Sequence, residues 1–187
     1  MKQRVHSVRR ETKETQIVLS LNADGRGICE FDSEGLQMVG HMVNTLARYS
    51  SFDISVKAKG DMVHHTSEDV AICLGIAMKK CIDDWPVKRT GYAVVPMDDA
   101  LVQVAVDLSG RSYFSSDELA WPFEHFLSSF ASNAAINLHV VVVRGKDEHH
   151  VVEAAFKALG LSLRQAMERR DGEVSAKGSV LLEVDDG

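Results

Sequence analysis

Gly60-Asp61-Met62-Val63-His64-His65-Thr66-Ser67-Glu68 and Gly145-Lys146-Asp147-Glu148-His149-His150-Val151-Val152-Glu153 share one pattern, G-x4-H-H-x2-E. Every shared position is offset by 85 residues. One HHxxE arises easily by chance. A second in register with the first, at the same distance from a glycine, marks an internal repeat, and the repeat decides the fold. Four of the chain's eight histidines sit in the two copies, a concentration that points to metal.

The repeat extends outward from the histidines. Residues 51–60 alternate like a half-buried strand and align with residues 136–145. Helical spacing of apolar residues follows each HHxxE over residues 69–81 and 154–167, and precedes each strand over residues 36–49 and 121–133. Residues 15–22 and 100–108 read as earlier strands, and Arg26 and Arg111 recur 85 residues apart beside turn glycines. The pattern predicts two copies of a β-β-α-β-α unit joined near residues 85–96. The halves are 1–90 and 91–187, each a small sheet with helices on one face. Such thin layers must bury their helical faces against each other. Residues 169–187 are polar and glycine-containing before a short apolar run, and composition alone reads them as a partly ordered terminus.

If each HHxxE opens a helix, its first histidine and its glutamate stand at i and i+4 on one face, able to share an ion. The second histidine points about 100° away. Adjacent histidines therefore suit two ions better than one. Four imidazoles and two carboxylates form a mixed nitrogen and oxygen set suited to Mn, Fe, Zn or Co rather than Ca or Mg. The HExxH pattern of zinc proteases is absent, as are a Gly-rich phosphate loop and a GxSxG nucleophile elbow.

Composition sets the outer bounds. A hydrophobic fraction of 45% over 187 residues is ordinary for a globular core. The formal net charge of −6 disfavours nucleic acid as a partner. No apolar run approaches a membrane span, and the polar start Met1-Lys2-Gln3-Arg4 does not read as a secretory signal. Cys29, Cys73 and Cys81 are odd in number without metal-type spacing, so reduced thiols in the cytoplasm are expected.

The chain resembles the imidazoleglycerol-phosphate dehydratase family of histidine biosynthesis over nearly its whole length. The matching stretches begin with Arg10-Glu11-Thr12-Lys13-Glu14-Thr15, His41-Met42 and Leu46-Ala47-Arg48. They continue through the first HHxxED, Pro96-Met97-Asp98-Asp99-Ala100-Leu101, Val106-Asp107-Leu108-Ser109-Gly110-Arg111, Leu138-His139 and Gly145-Lys146. The second HHxxEA with Phe156-Lys157-Ala158, and Ser175-Ala176-Lys177-Gly178, complete the set.

The resemblance implies an α+β fold of two similar halves, each a roughly four-stranded sheet backed by helices, of the ribosomal protein S5 domain 2-like kind. It implies two Mn(II) ions per active site, with Zn or another divalent metal as substitutes. The sites would lie between subunits of a large octahedral homo-oligomer of 24 chains. Carried over by position, one ion takes His41, His65, His149 and Glu153, and the other takes His64, Glu68, His139 and His150. The implied reaction removes water from imidazoleglycerol phosphate to give imidazole-acetol phosphate. The C–H proton has no neighbouring carbonyl to acidify it, so metal at the ring nitrogens supplies Lewis acidity. Glu14 matches the family's acid–base glutamate. Arg89, Arg111, Lys157, Ser175 and Lys177 match its phosphate and substrate contacts, and the last two imply an ordered tail over the ligand.

His6 and His125 match no family role. Gly40 stands where the family has Asp, and Tyr49 where it has a substrate-contacting His; a phenol cannot reproduce an imidazole's protonation near neutral pH. The segments before His64 and between Arg111 and Phe123 are short. Two other readings remain: a dinuclear hydrolase, which would turn over esters or amides, and a non-catalytic metal-held assembly protein, which would load metal without turnover.

Overall fold

The computed structural model describes residues 3–172. The first half runs β1 (Val5–Glu11), β2 (Thr15–Asn22), β3 (Cys29–Asp32), α1 (Gln37–Ser50), β4 (Asp53–Gly60) and α2 (Val63–Asp83). The second repeats the order with β5 (Thr90–Met97), β6 (Ala100–Asp107), β7 (Tyr113–Ser116), α3 (Phe123–Ala134), β8 (Asn137–Arg144) and α4 (Glu148–Ala166). Strand orders are β1-β2-β4-β3 and β5-β6-β8-β7. In each sheet the last pair is parallel and the others are antiparallel.

The unit therefore has four strands, β-β-β-α-β-α, where the sequence pattern shows three. The additional strands β3 and β7 are four residues long, too short for alternation to register. The junction expected at residues 85–96 ends earlier, because β5 begins at Thr90 and zips along β6 from Thr90↔Asp107 to Met97↔Ala100.

Alternation builds the sheets. In β2, Ile17, Leu19 and Leu21 are fully buried, and in β6 Val102 and Val104 are too. The helices cover these inner faces, α2 over β1 and β2, and α4 over β5 and β6. They also cross between halves, α1 against α4 and α2 against α3. Phe126 and Phe130 of α3 and Phe156 of α4 are the largest side chains wholly inside this shared core. Close crossing requires glycine at two positions 85 residues apart. A Cβ on Gly75 would lie 2.7 Å from the Phe130 carbonyl oxygen, and one on Gly160 would lie 2.7 Å from the Tyr49 Cβ. No helix among the described residues is long and apolar enough to cross a membrane.

The repeat is not perfectly uniform. Across β8 the register slips opposite Leu101 and Val102, where Val143 is the extra residue. From the α1/α3 helices to that bulge the halves are offset by 84 residues, whereas the strands before them are offset by 85. The left-handed residues that end α1 and α3, Ser51 and Ala135, are 84 apart.

Candidate metal centre

Both HHxxE motifs do open helices. Asp147 caps α4, its carboxylate accepting from the backbone N–H groups of His149 (2.9 Å) and His150 (3.2 Å). No side chain caps α2, although Thr66 Oγ1 donates to the Met62 carbonyl at 2.7 Å in its first turn.

Each first histidine stands over its glutamate as the i, i+4 spacing requires. His149 Nε2 is 3.2 Å from Glu153 Oε2, and His64 Nε2 is 3.8 Å from Glu68 Oε2. The crossing helix from the other half adds a third donor to each pair. On α1, His41 Nε2 lies 3.6 Å from Glu153 Oε2, and its ring stacks on His149 at 5.7 Å with 9° between planes. On α3, His125 Nε2 lies 3.5 Å from Glu68 Oε1, its ring 5.1 Å from that of His64. In each trio the ligand atoms lie within 4.8 Å of one another.

His125 had no assigned role, and it holds the place beside His64 and Glu68 that the resemblance gave to His139. His139 faces outward from β8, 5.2 Å from the Tyr113 ring. Its neighbours Leu138 and Val140 face the helices, so strand alternation turns the imidazole to the opposite side of the sheet from α2 and α4. The sequence signal for His125 was present at an offset of 84, since it stands 84 residues after His41. At the offset of 85 shown by the HHxxE motifs, the partner of His41 is Phe126.

The second histidines point elsewhere, also as expected. His65 Nδ1 is 2.9 Å from Asp61 Oδ1 and 3.7 Å from Glu14 Oε2. His150 Nδ1 is 2.8 Å from Asp99 Oδ1, and its Nε2 is 3.4 Å from Asp98 Oδ2. The hydrogen bonds that His65 and His150 donate to Asp61 and Asp99 raise both imidazoles above their ordinary value, and His150 in turn draws the Asp99 carboxyl down to about 2. Burial alone would push Glu153 up. The Lys157 ammonium at 2.9 Å and His41 outweigh that effect and hold its carboxyl low.

Tyr49 and Lys157 extend the α1/α4 cluster, with the ammonium 5.8 Å from the centre of the Tyr49 ring. Gly40 packs against the Phe31 ring, where a Cβ would sit 2.8 Å away, so an aspartate there would need that ring to move.

Arg89 and Arg111 stand at the opposite pole of the chain. Arg111 follows Ser109 and Gly110, which border a surface cavity with Lys79 and Asp83 at the far end of α2. That is about 22 Å along the helix from His64. Arg89 donates its N–H to the carbonyl of Ala166 at the end of α4, about 26 Å along that helix from His149. Asp107 holds the Arg89 guanidinium through two bonds of 2.5 and 2.9 Å. One chain therefore presents imidazoles and carboxylates at one pole and the two guanidiniums at the other. Ser175 and Lys177 lie outside the described residues.

The donor sets fit transition-metal ions. Each trio supplies two imidazole nitrogens and a carboxylate, and His41, His125 and His149 are exposed, leaving the outer side open to further ligands. The contacts of His41 and His125 with their glutamates exceed hydrogen-bond length, so these donors converge without consuming one another.

Known proteins bear on the same residues. The family model for imidazoleglycerol-phosphate dehydratase matches residues 34–163. The imidazoleglycerol-phosphate dehydratase of Methanocaldococcus jannaschii is 43% identical, over 96% of this chain and 97% of its own. That of Maridesulfovibrio salexigens is 40% identical over 96% of this chain and all of its own length. Among solved structures, the IGPD of Pyrococcus furiosus superposes with a TM-score of 0.80 at 34% identity, covering 92% of this chain and 100% of that one.

Proposed function

The chain belongs to the imidazoleglycerol-phosphate dehydratase family, and from that premise we propose that its hydro-lyase chemistry runs at two divalent metal ions shared between copies of the chain. The carrying observation is the pair of matching trios, His41/His149/Glu153 and His64/Glu68/His125, each built across both halves. His65 and His150 complete the two sets from neighbouring copies, and His125 replaces His139 as a ligand. Bound there, the ions supply Lewis acidity to the imidazole ring of the substrate.

The protein's own groups do the rest. Glu14, beside His65, is the base that takes the C–H proton. The hydroxyl departs as water once it gains a proton, and the resulting enol becomes the ketone of imidazole-acetol phosphate. Lys157, Arg89, Arg111, Ser175 and Lys177 bind the phosphate end, where fork and point cations serve different oxygens. Tyr49 lends the substrate pocket an aromatic wall and a hydroxyl. The separation of guanidinium and imidazole poles supports sites closed by a second copy, and an octahedral assembly of 24 chains satisfies that requirement. Manganese is the ion that the family resemblance favours, although the mixed donor set suits manganese and zinc alike. A cytoplasmic location accords with three unpaired thiols, which burial raises to about 11 in Cys29 and Cys73 and about 12 in Cys81.

The test is turnover of imidazoleglycerol phosphate by metal-stripped protein, then by protein reconstituted with Mn(II), with particle size followed by sedimentation. Metal-dependent imidazole-acetol phosphate and a particle that shrinks on chelation are expected, because metal-binding energy is then assembly energy. A fully loaded, assembled protein that forms no product overturns the catalytic reading. Unchanged size after complete metal removal overturns the sharing of ligands.

A further inference from the structure

Asp69 follows the metal-binding Glu68 on α2, yet its side chain turns inward and is buried. It accepts a bond from Arg10 Nε of β1 at 2.8 Å and a short one from Thr15 Oγ1 at the start of β2. Thr15 Oγ1 lies 3.1 Å from Thr12 Oγ1. Thr12 Oγ1 accepts the backbone N–H groups of Glu14 (3.1 Å) and Thr15 (3.0 Å). A carboxylate can only accept, so Thr15 must donate to Asp69, which leaves Thr12 to donate to Thr15. Every proton in the chain of bonds then points from the loop toward Asp69. One further bond, from the Asp61 N–H to the Glu14 carbonyl at 3.1 Å, ties the same loop to the entry of α2.

The second half shows that the fold does not need this arrangement. The residues 85 positions after Arg10, Thr15 and Asp69 are Val95, Ala100 and Ala154, all apolar and all buried. Those three side chains make no polar contact; the second hairpin is tied to α4 at its tip instead, where Asp99, 85 positions after Glu14, lies 2.8 Å from His150 Nδ1 and accepts the Lys146 N–H at 2.7 Å. Burying a carboxylate and a hydroxyl beside a half-exposed guanidinium is seldom more stable than apolar packing of similar shape. The polar trio is present only in the half whose tip carboxylate, Glu14, stands 3.7 Å from its histidine instead of bonding it directly as Asp99 does.

We infer that Asp69 is a positioning residue: through Thr15, Thr12 and Arg10 it fixes the β1–β2 hairpin on α2, so that the Glu14 carboxylate is held beside His65. This rests on Glu14 acting as the base. A base displaced by about 1 Å can cost on the order of 100-fold in rate. The loss should appear in kcat, because Asp69 touches neither phosphate nor metal.

The experiment uses the full-length, metal-loaded assembly. One variant transplants the second half's residues (Arg10→Val, Thr15→Ala, Asp69→Ala together), and a milder one is Thr15→Val alone. Each is made with Glu14 intact and with Glu14→Gln, and kcat, KM, metal content and hydrogen exchange over residues 12–15 are measured. Expected with Glu14 intact is a kcat loss of about 100-fold for the triple variant. A smaller loss is expected for Thr15→Val, with KM and metal content held and faster exchange of the Glu14 and Thr15 amides. With Glu14→Gln the same changes should cost nothing further. Equal losses in both backgrounds, or no loss with Glu14 intact, overturn the inference. Full activity in Glu14→Gln by itself instead overturns the assignment of the base.

Discussion

Gly160→Ala tests whether the crossing of α1 and α4 holds the first metal cluster. The two helices run side by side, from His41 against His149 and Glu153 to Tyr49 against Gly160. A Cβ on Gly160 would stand 2.7 Å from the Tyr49 Cβ, 3.0 Å from the Ser50 nitrogen and 3.1 Å from the Leu46 carbonyl oxygen. Carbon pairs settle near 3.5 Å or beyond, so the helices must part by about 0.8 Å. Two of the three obstacles are backbone and cannot rotate away. Overpacking of this kind costs roughly 1–3 kcal/mol. Removing a mid-helix glycine returns about 1 kcal/mol. The net expectation is a loss of about 1 kcal/mol, or about 2–4 °C in Tm for a chain of this size. The wedge also draws His41 away from Glu153, now 3.6 Å apart. Binding of one ion should weaken about tenfold, equivalent to about 1.4 kcal/mol, while the other is unaffected. Calorimetry in chelator gives the first quantity and metal titration the second. A variant of higher Tm that holds both ions as tightly as the parent refutes the reasoning. Gly75→Ala makes the matching collision with the Phe130 carbonyl oxygen, and should shift the loss to the other ion.

Three further outcomes are expected. His125→Ala should remove close to one of the two bound ions per site, whereas His139→Ala should keep both; elemental analysis decides, and the reverse result restores His139. Because Asp61 and Asp99 raise His65 and His150, protons compete with metal at a pH above the ordinary histidine value of about 6.5. Metal affinity should thus begin to fall above pH 6.5 on acidification, and Asp99→Asn should move that onset lower in a pH-dependent metal titration. The Asp24 carboxyl, pushed up by burial, is nonetheless held well below the usual carboxylate range by Arg4 and Arg169. Its stabilisation is complete above the unfolded value near pH 4 and fades only as pH falls toward the folded value. Asp24→Asn, which strands the buried Arg4, should cost about 3 kcal/mol at pH 7. Thermal melts should show that gap holding down to pH 4 and narrowing only below it.

Much of this architecture was legible in the chain itself. The HHxxE pair gave the repeat, the helix starts and the divergence of adjacent histidines, because i, i+4 geometry is local. Burial of helix on helix followed from the thinness of each layer. What escaped was set by tertiary pairing. The strands β3 and β7 take their conformation from parallel pairing with β4 and β8, not from four residues of alternation. The start of β5 lay hidden in a stretch that reads as a junction, with Pro86 and Gly91 near it. His125 was obscured by one bulged residue in β8, which moves the repeat out of step by a single position. His139 sits in a valine-rich strand, and its side is decided by alternation relative to Leu138 and Val140. That phase could have been counted from the sequence.

Joining two copies of one unit in a single chain has a lasting consequence for the polar trio at Arg10, Thr15 and Asp69. Identical copies meeting as separate molecules must carry every residue twice, so a costly polar insertion in one is repeated in the other. A fused pair has no such obligation. Here one copy keeps charge under its hairpin and the other keeps Val95, Ala100 and Ala154, while both retain the same strands, helices and crossing glycines. Specialisation under the hairpin has thus been confined to one half of the chain, and the other copy, held at its tip by Asp99 and His150, shows that the fold itself does not demand it.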